Sequence, residues 1–257
     1  MPHSDHDRLI LDQFTRQADP FADLAAHSAA SSMRLVLAAS GVGADDEVLD
    51  VACGPGLLTC ALARVARRAV GVDVVPAMLE RARKEQQRAG LDNLAWQAGD
   101  ARALPFADAS FDRVVTRFSF HHLVDPAQAL GEMVRVCRPG GIVTVVDAAP
   151  AAQARAAYDE WETLRDPSHA RALTLAELEA LFDSAGLTRR PSERFRLDME
   201  LEAQLAASFP QPGDGDRLRA RFREDIARDV DRPDLGAHLR DGAVWLAYPC
   251  AIVTARR

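Results

Sequence analysis

Between Val48 and Asp73 the chain passes through a short apolar stretch, a tight turn, a helical stretch and a second apolar stretch that closes on an acid. The turn is Ala52-Cys53-Gly54-Pro55-Gly56. A strand that enters a helix through so tight a turn needs small residues, and glycines there let the backbone come close to a ligand. Strand, helix and strand in this order make a parallel pair, which belongs to a sheet with helices on both faces.

The alternation continues downstream. Pro76 suits a first helical position and opens a helix that stops at Gly90. Leu94-Ala95-Trp96 and Phe111 to Thr116 read as a third and a fourth strand. Asp125-Pro126 reads as a cap and first-turn proline opening a helix to Cys137, and Ile142 to Asp147 as a fifth strand after Pro139-Gly140-Gly141. Upstream, Arg8 to Ala39 reads as helical, with Leu9, Phe14, Phe21 and Leu24 spaced among polar residues. After Pro150 the pattern loosens. Thr174 and Glu177 form a capping box for a helix ending before Gly186, a strand-like stretch surrounds Phe195, and helices are expected over Met199 to Ser208 and Asp216 to Val230. Val244 to Thr254 reads as a closing strand. The expected fold is α/β and Rossmann-like: a seven-stranded, mostly parallel sheet with helices on both faces and a helical lid. Residues 1–40 are read as an N-terminal helical cap and 41–150 as the ligand-binding core. Residues 151–243 are read as the lid with the helix and strand of the second half, and 244–257 as the closing strand.

Composition narrows the partners. A net charge of −7 and a pI near 5.5 argue against a surface that holds nucleic acid by counterion release. Cys53, Cys60, Cys137 and Cys250 are scattered without a CxxC pair, so reduced, buried thiols are expected and no metal site is. No apolar run approaches the roughly 18 residues of a membrane span, and the first residues lack the basic and apolar regions of a signal peptide. A soluble, cytoplasmic protein is expected.

Three acids end the first three strands. Asp50 brings negative charge to the glycine turn, which repels a pyrophosphate and suits a cationic amino-acid group. Asp73 offers two oxygens to a ribose diol, and Asp100, in Ala98-Gly99-Asp100-Ala101, is placed to meet an adenine amino group. A dinucleotide site is the competing reading of the turn. Gly54-x-Gly56 is followed at the third fingerprint position by Thr59 rather than Gly or Ala, and Asp50 opposes a pyrophosphate.

The motifs in their order resemble the class I S-adenosylmethionine (SAM)-dependent methyltransferases, in the small-molecule branch similar to the ubiquinone/menaquinone C-methyltransferases. Val48 to Gly56 matches the glycine-rich first motif, with Ala52 replacing the first glycine of its fuller form. Gly71-Val72-Asp73 with Met78-Leu79 matches the ribose-binding segment. Gly99-Asp100-Ala101, Leu104-Pro105-Phe106 and Ser110-Phe111-Asp112 match the adenine side and the entry to the fourth strand, and Phe120-His121-His122-Leu123 and Arg135 to Gly141 complete the pattern. The resemblance implies that Gly54 and Gly56 pass close to the methionine part of SAM, that Asp50 faces its ammonium, that Asp73 holds the ribose, and that Val74, Asp100 and Ala101 bind the adenine. Ala52, Cys53, Met78, Gly99, Arg117 and Phe118 complete the expected lining, and Phe14 and Phe21 close over the cofactor. The product is S-adenosylhomocysteine.

Displacement at a sulfonium methyl is accelerated by orientation and exclusion of water, and it needs a base only where the acceptor must lose a proton. His121, His122 and His27 are the candidates for that base. The alternative for the His121–His122 pair is that it fixes its loop by hydrogen bonds. His169 is a further acceptor-side candidate, and Arg117 either binds an anionic acceptor or pairs with an acid. Trp96, Trp161 and Trp245 read as packing. The expected activity is methyl transfer to a small organic acceptor in the biosynthesis of a quinone, polyketide or heteroaromatic metabolite. The alternative is a methyltransferase-like protein that uses SAM structurally, and the sequence leaves the oligomeric state open.

Overall fold

A computed structural model describes residues 4–24 and 30–257. In chain order the elements are α1 (Asp5–Asp23), α2 (Ala30–Ser40), β1 (Glu47–Val51), α3 (Leu57–Ala63), β2 (Arg68–Asp73), α4 (Pro76–Ala89), β3 (Leu94–Ala98), β4 (Phe111–Arg117), α5 (Pro126–Val136) and β5 (Cys137–Ala148). They continue with α6 (Arg155–Arg165), α7 (Leu175–Ser184), β6 (Thr188–Arg189), β7 (Glu193–Glu200), α8 (Leu201–Ser208), α9 (Asp214–Ala227), β8 (His238–Arg240) and β9 (Ala243–Arg256). Among the described residues no helix is long and apolar enough to cross a membrane.

The local chemistry accounts for the boundaries. Asp125 caps α5 by accepting from the Gln128 amide at 2.9 Å, with Pro126 in the first turn. Gly90 ends α4 in the left-handed conformation, and Thr174 with Glu177 closes a reciprocal capping box on α7.

The sheet runs β3-β2-β1-β4-β5-β9-β6, the seven-stranded path expected, with β1 to β5 parallel and β9 antiparallel to β5. Two strands extend it beyond the expectation. The 14-residue β9 outruns β5, and β7 and β8 both pair with it, meeting at Trp245 opposite Glu200 and His238. Met199, expected to begin a helix, lies in β7 opposite Leu246, where both side chains are buried.

Alternating residues divide the core. Leu49, Val51, Val114, Val143 and Val145 face α5 and α7 through Leu130, Met133, Leu178 and Phe182. Val48, Val115 and Val146 face α2 and α3 through Val36, Leu58 and Leu62. The helices after β5 have their own apolar partners. Tyr158, Trp161, Leu218 and Phe222 pack with Leu197, Leu246 and Tyr248 of β7 and β9. The strand order reverses between β1 and β4, and there the carboxyl ends of the strands open into a cleft.

Candidate active site

The glycine turn forms one wall of the cleft. Ala52, Gly54 and Gly56 all have positive φ, at 53°, 53° and 81°. Ala52 therefore holds a left-handed conformation in which an L side chain costs roughly 1–2 kcal/mol. A Cβ at Gly56 would fall 2.6 Å from Trp96 and 2.8 Å from the Ala82 Cβ, so close packing as well as conformation demands glycine. The Cys53 amide donates to the Val72 carbonyl at 3.0 Å and ties the turn to β2.

The three acids reach the cleft with different partners. Asp50 is buried and accepts from the Thr59 hydroxyl at 2.6 Å. Burial pushes its carboxyl up to about 7, against the Thr59 hydrogen bond and the field of the Arg117 guanidinium. Asp73 bridges two loops, accepting from the Gly54 amide at 2.8 Å and from the Val75 amide at 2.9 Å. Each of its oxygens keeps a lone pair for a further donor. Asp100 is gripped by Arg102, whose amide and Nε donate to Oδ1 at 2.8 and 3.0 Å and whose Nη2 donates to Oδ2 at 2.7 Å. Burial works to raise Asp100, but Arg102 outweighs it and holds the carboxyl below its ordinary value.

The structure brings Asp50, Ala52, Cys53, Gly54, Asp73, Val74, Met78, Gly99, Asp100, Ala101, Arg117 and Phe118 to the lining of one cleft. It encloses about 1280 Å³ with its open mouth counted. Gly56 stands just behind the lining, under Trp96. Arg117 is half-buried, desolvation of its guanidinium lowers its pKa, and it lies 5.3 Å over the ring of Phe118, itself left-handed at φ 57°.

The expected histidines separate. His122 lines the cleft. His121 turns away and meets Asp147, Nδ1 to Oδ1 at 2.5 Å, with its own amide donating to Oδ2 at 3.1 Å. Burial pulls the His121 imidazole down, but the Asp147 carboxylate outweighs it and holds the ring above its ordinary pKa. His169 is held by Asp159 at 2.8 Å, outside the cleft lining. His27 lies outside the described residues.

The cover over the cleft is α1. Ile10, Leu11, Phe14 and Phe21 line it, and Phe14 meets the His122 ring edge-on with centroids 4.8 Å apart. The sequence pattern gives a cap in 1–40 and a lid in 151–243; residues of α1 line the cleft, and no described residue of the 151–243 segment does. Its helices bury their apolar faces on one another and on β9, and they stand behind α1: Gln17 donates to Asp166 at 3.0 Å and Gln13 donates to the Ser208 carbonyl. Leu9, one of the apolar residues spaced through α1, is 44% exposed. The lining residues that sequence reasoning missed are chiefly His6, Asp7, Ile10, Leu11, Arg102, Leu123 and Val124. The spacing of Ile10, Phe14 and Phe21 carried a signal for the helix face; the ion pairs carried none.

A glycine cradle that tolerates no side chain at Gly56, a buried acid beside it and a second acid with acceptor capacity at the end of β2 fit an amino-acid-bearing nucleoside. Comparison with known proteins agrees. Residues 49–145 match the model of the methyltransferase domain. The chain is 38% identical over 168 residues to a demethylmenaquinone methyltransferase of Mycobacterium sp. (strain JLS), covering 61% of this chain and 70% of that one. It is 29% identical over 196 residues to the uncharacterized methyltransferase YcgJ of Bacillus subtilis, covering 75% and 77%. The crystal structure of the YcgJ protein superposes with a TM-score of 0.79 at 23% identity, covering 88% of this chain and 98% of that one.

The chain belongs to the class I SAM-dependent methyltransferases. It is an enzyme, and S-adenosylmethionine is its cofactor.

Proposed function

We propose that this methyltransferase transfers the methyl group to a small, largely apolar organic acceptor of the quinone, polyketide or heteroaromatic kind. The observation that carries the reading is the wall of Phe14, Phe21, Phe118, Leu123 and Val124 in the same cleft as the glycine turn, closed by α1. An apolar enclosure of this kind takes a flat organic molecule more readily than a chain of nucleotides or a folded protein. The relative named as a demethylmenaquinone methyltransferase supports the same class.

In this reading Gly54, Gly56, Ala52, Cys53 and Asp50 hold the amino-acid end of the cofactor. Asp73 holds the ribose, and Val74, Met78, Gly99, Asp100 and Ala101 hold the adenine. When bound, SAM supplies a methyl group already activated on a sulfonium. The chain's own contribution is to orient the acceptor against that methyl and to exclude water, with Arg117 and Phe118 at the junction of the two subsites. Residues 1–40 act as the cap, 41–150 as the cofactor-binding core, 151–243 as the support of the cap and 244–257 as the closing strand. The reaction takes place in the cytoplasm, where the four buried free thiols stay reduced.

Calorimetric titration with S-adenosylhomocysteine tests the site. Asp73→Ala is expected to weaken binding by roughly one to two decades, with the melting temperature followed in parallel to show that the fold survives. A panel of quinols, phenols and heteroaromatics, scored by S-adenosylhomocysteine release, tests the acceptor. Turnover confined to a protein or RNA fraction would overturn the small-acceptor reading.

A further inference from the structure

His122 differs from its neighbour in what each ring nitrogen faces. Its Nδ1 lies 3.0 Å from the Ser168 carbonyl and 3.2 Å from the Ser168 hydroxyl. A carbonyl only accepts, so Nδ1 carries the hydrogen of the neutral ring and the lone pair sits on Nε2. His122 lines the cleft and Ser168 does not, so the residue reaches from the Ser168 contact to the cleft, and we take Nε2 as the nitrogen that faces it. No hydrogen bond to another described residue engages that nitrogen.

Behind the ring stands a built support. Ser168 donates its hydroxyl to Asp166 at 2.6 Å and its amide to the same oxygen at 2.9 Å. The other Asp166 oxygen accepts from Gln17 of the cover helix at 3.0 Å. The cover touches His122 itself twice, through the Phe14 ring and through His6, whose Nε2 donates to the His122 carbonyl at 2.7 Å.

The charged and titratable groups around the ring act in opposite directions. Burial and the protonated His121, 4.2 Å away between centroids, drive His122 well below its ordinary pKa, with His169 adding to them, while Asp166 and the Ser168 hydrogen bond resist. Burial works to raise Asp166, but the Arg165 guanidinium and the bonds from Ser168 and Gln17 outweigh it and keep the carboxyl ionised.

We propose that His122 is the proton acceptor of the methyl transfer, and that Ser168 and Asp166 are positioning residues set in place by α1 through Gln17. The inference rests on the acceptor site described under Proposed function and deepens it: the acceptor must carry a proton to lose, as a phenol, quinol, enol or N–H heterocycle does. The acceptor's X–H bond gives its proton to Nε2 and leaves its electron pair on the acceptor. A pair on that acceptor forms the new bond to the methyl carbon, and the S–C pair stays with sulfur. The imidazolium returns its proton to water once the product leaves. Asp166, one hydroxyl away, stabilises the imidazolium while it lasts. A thioether or tertiary amine has no proton to yield and gains nothing from this arrangement.

The test is long-range proton–nitrogen correlation spectroscopy on histidine-labelled wild type saturated with S-adenosylhomocysteine, with His122 assigned through its contact with Phe14, so that no variant has to fold. The expected result at pH 7 is a neutral ring with hydrogen on Nδ1. Hydrogen on Nε2, or a charged ring at that pH, overturns the proposal. Asp166→Asn is expected to move the acid limb of the pH–rate profile to lower pH, because it removes the charge that favours the imidazolium, with the melting temperature as its folding check. An unmoved limb in the folded variant overturns the positioning role. His122→Gln is expected to lose about 100-fold or more in kcat with any acceptor found in the release screen, while retaining S-adenosylhomocysteine affinity. Failure of the wild type to bind S-adenosylhomocysteine would instead remove the cofactor site itself, a different result from a bound cleft with the wrong tautomer.

Discussion

Arg102 and Asp7 meet at 2.9 Å across the mouth of the cleft, joining the loop after β3 to the first turn of α1. The same guanidinium holds Asp100, so the expected adenine contact and the cover share one cation. Further along α1, the buried Arg81 reaches Asp23 at 2.9 Å and Asp19 at 3.4 Å. Both contacts latch an acidic helix to basic residues of the core.

Asp7→Asn should loosen the latch without emptying the cleft. A partly exposed ion pair contributes about 0.5–1 kcal/mol, so S-adenosylhomocysteine should bind roughly two- to fivefold more weakly. Raising the salt should weaken the wild type toward the variant and leave the variant nearly unchanged, because screening acts only where the pair exists. Calorimetry at low and high salt reads both effects. Equal salt dependence in the two proteins would show that the pair does not hold the cover.

Gly56 and Gly54 make a matched pair of tests for the turn. Both have positive φ, but a Cβ at Gly54 meets nothing within 4 Å, whereas one at Gly56 meets Trp96 and Ala82. Gly54→Ala should cost only the backbone term of about 1–2 kcal/mol. Gly56→Ala adds overpacking and should cost about 2–4 kcal/mol, read from the urea midpoint. Similar costs for the two would mean that the Trp96 indole moves aside.

The cofactor half of the fold was legible because its signals are local. Apolar runs closed by Asp50 and Asp73, with small residues between, announce strand, turn and helix within a few residues. What stayed hidden depends on distant partners. His121 and His122 are neighbours in sequence, and only Asp147, 26 residues on, and Ser168, 46 residues on, decide which one turns to the cleft. The lining face of α1 is only partly legible for a similar reason: the resemblance marks Phe14 and Phe21 as closing over the cofactor, but not Ile10 and Leu11. Ile10, Leu11 and Phe14 sit among polar residues, and their apolar partners Val75 and Met78 lie on the far side of the glycine turn. The helices of 151–243 looked available as a cover, but their apolar faces are taken by β7 and β9. The alternation of Phe195, Leu197 and Met199 with Arg194, Arg196 and Asp198 announces a strand, but its partner is distant in sequence and is supplied only by the length of β9.

Arg165 and Glu162 support the cover from behind. Their side chains are almost wholly buried and meet at 2.6 Å, and Arg165 also donates to the Ser208 hydroxyl at 2.8 Å. Glu162→Gln leaves the guanidinium buried with its main charge partner gone. The expected loss is about 3–5 kcal/mol in urea unfolding. Replacing both residues with apolar ones of similar volume should recover most of it, since the cost lies in the uncompensated charge. A single variant as stable as wild type would mean that Asp166, 3.7 Å from Arg165, suffices as its counter-ion.

Asp50 links pH to cofactor binding. Its carboxyl is pushed up to about 7 chiefly by burial, so between its unfolded pKa of roughly 4 and about 7 the folded chain holds a proton that the unfolded chain has released. The stability from this group is complete below the lower value and is lost as pH rises through the upper one. A cationic amino group needs the ionised carboxylate, so affinity for S-adenosylhomocysteine should climb with pH up to about 7 and level off above it. Below that pH, binding should release a proton, visible as different heats in buffers of different ionisation enthalpy. Asp50→Asn should abolish both the proton release and the pH slope, and should stabilise the ligand-free protein at pH 8, where the wild type carries a buried charge. If the variant keeps the slope, some other group faces the ammonium and the placement of the amino-acid end beside Asp50 falls.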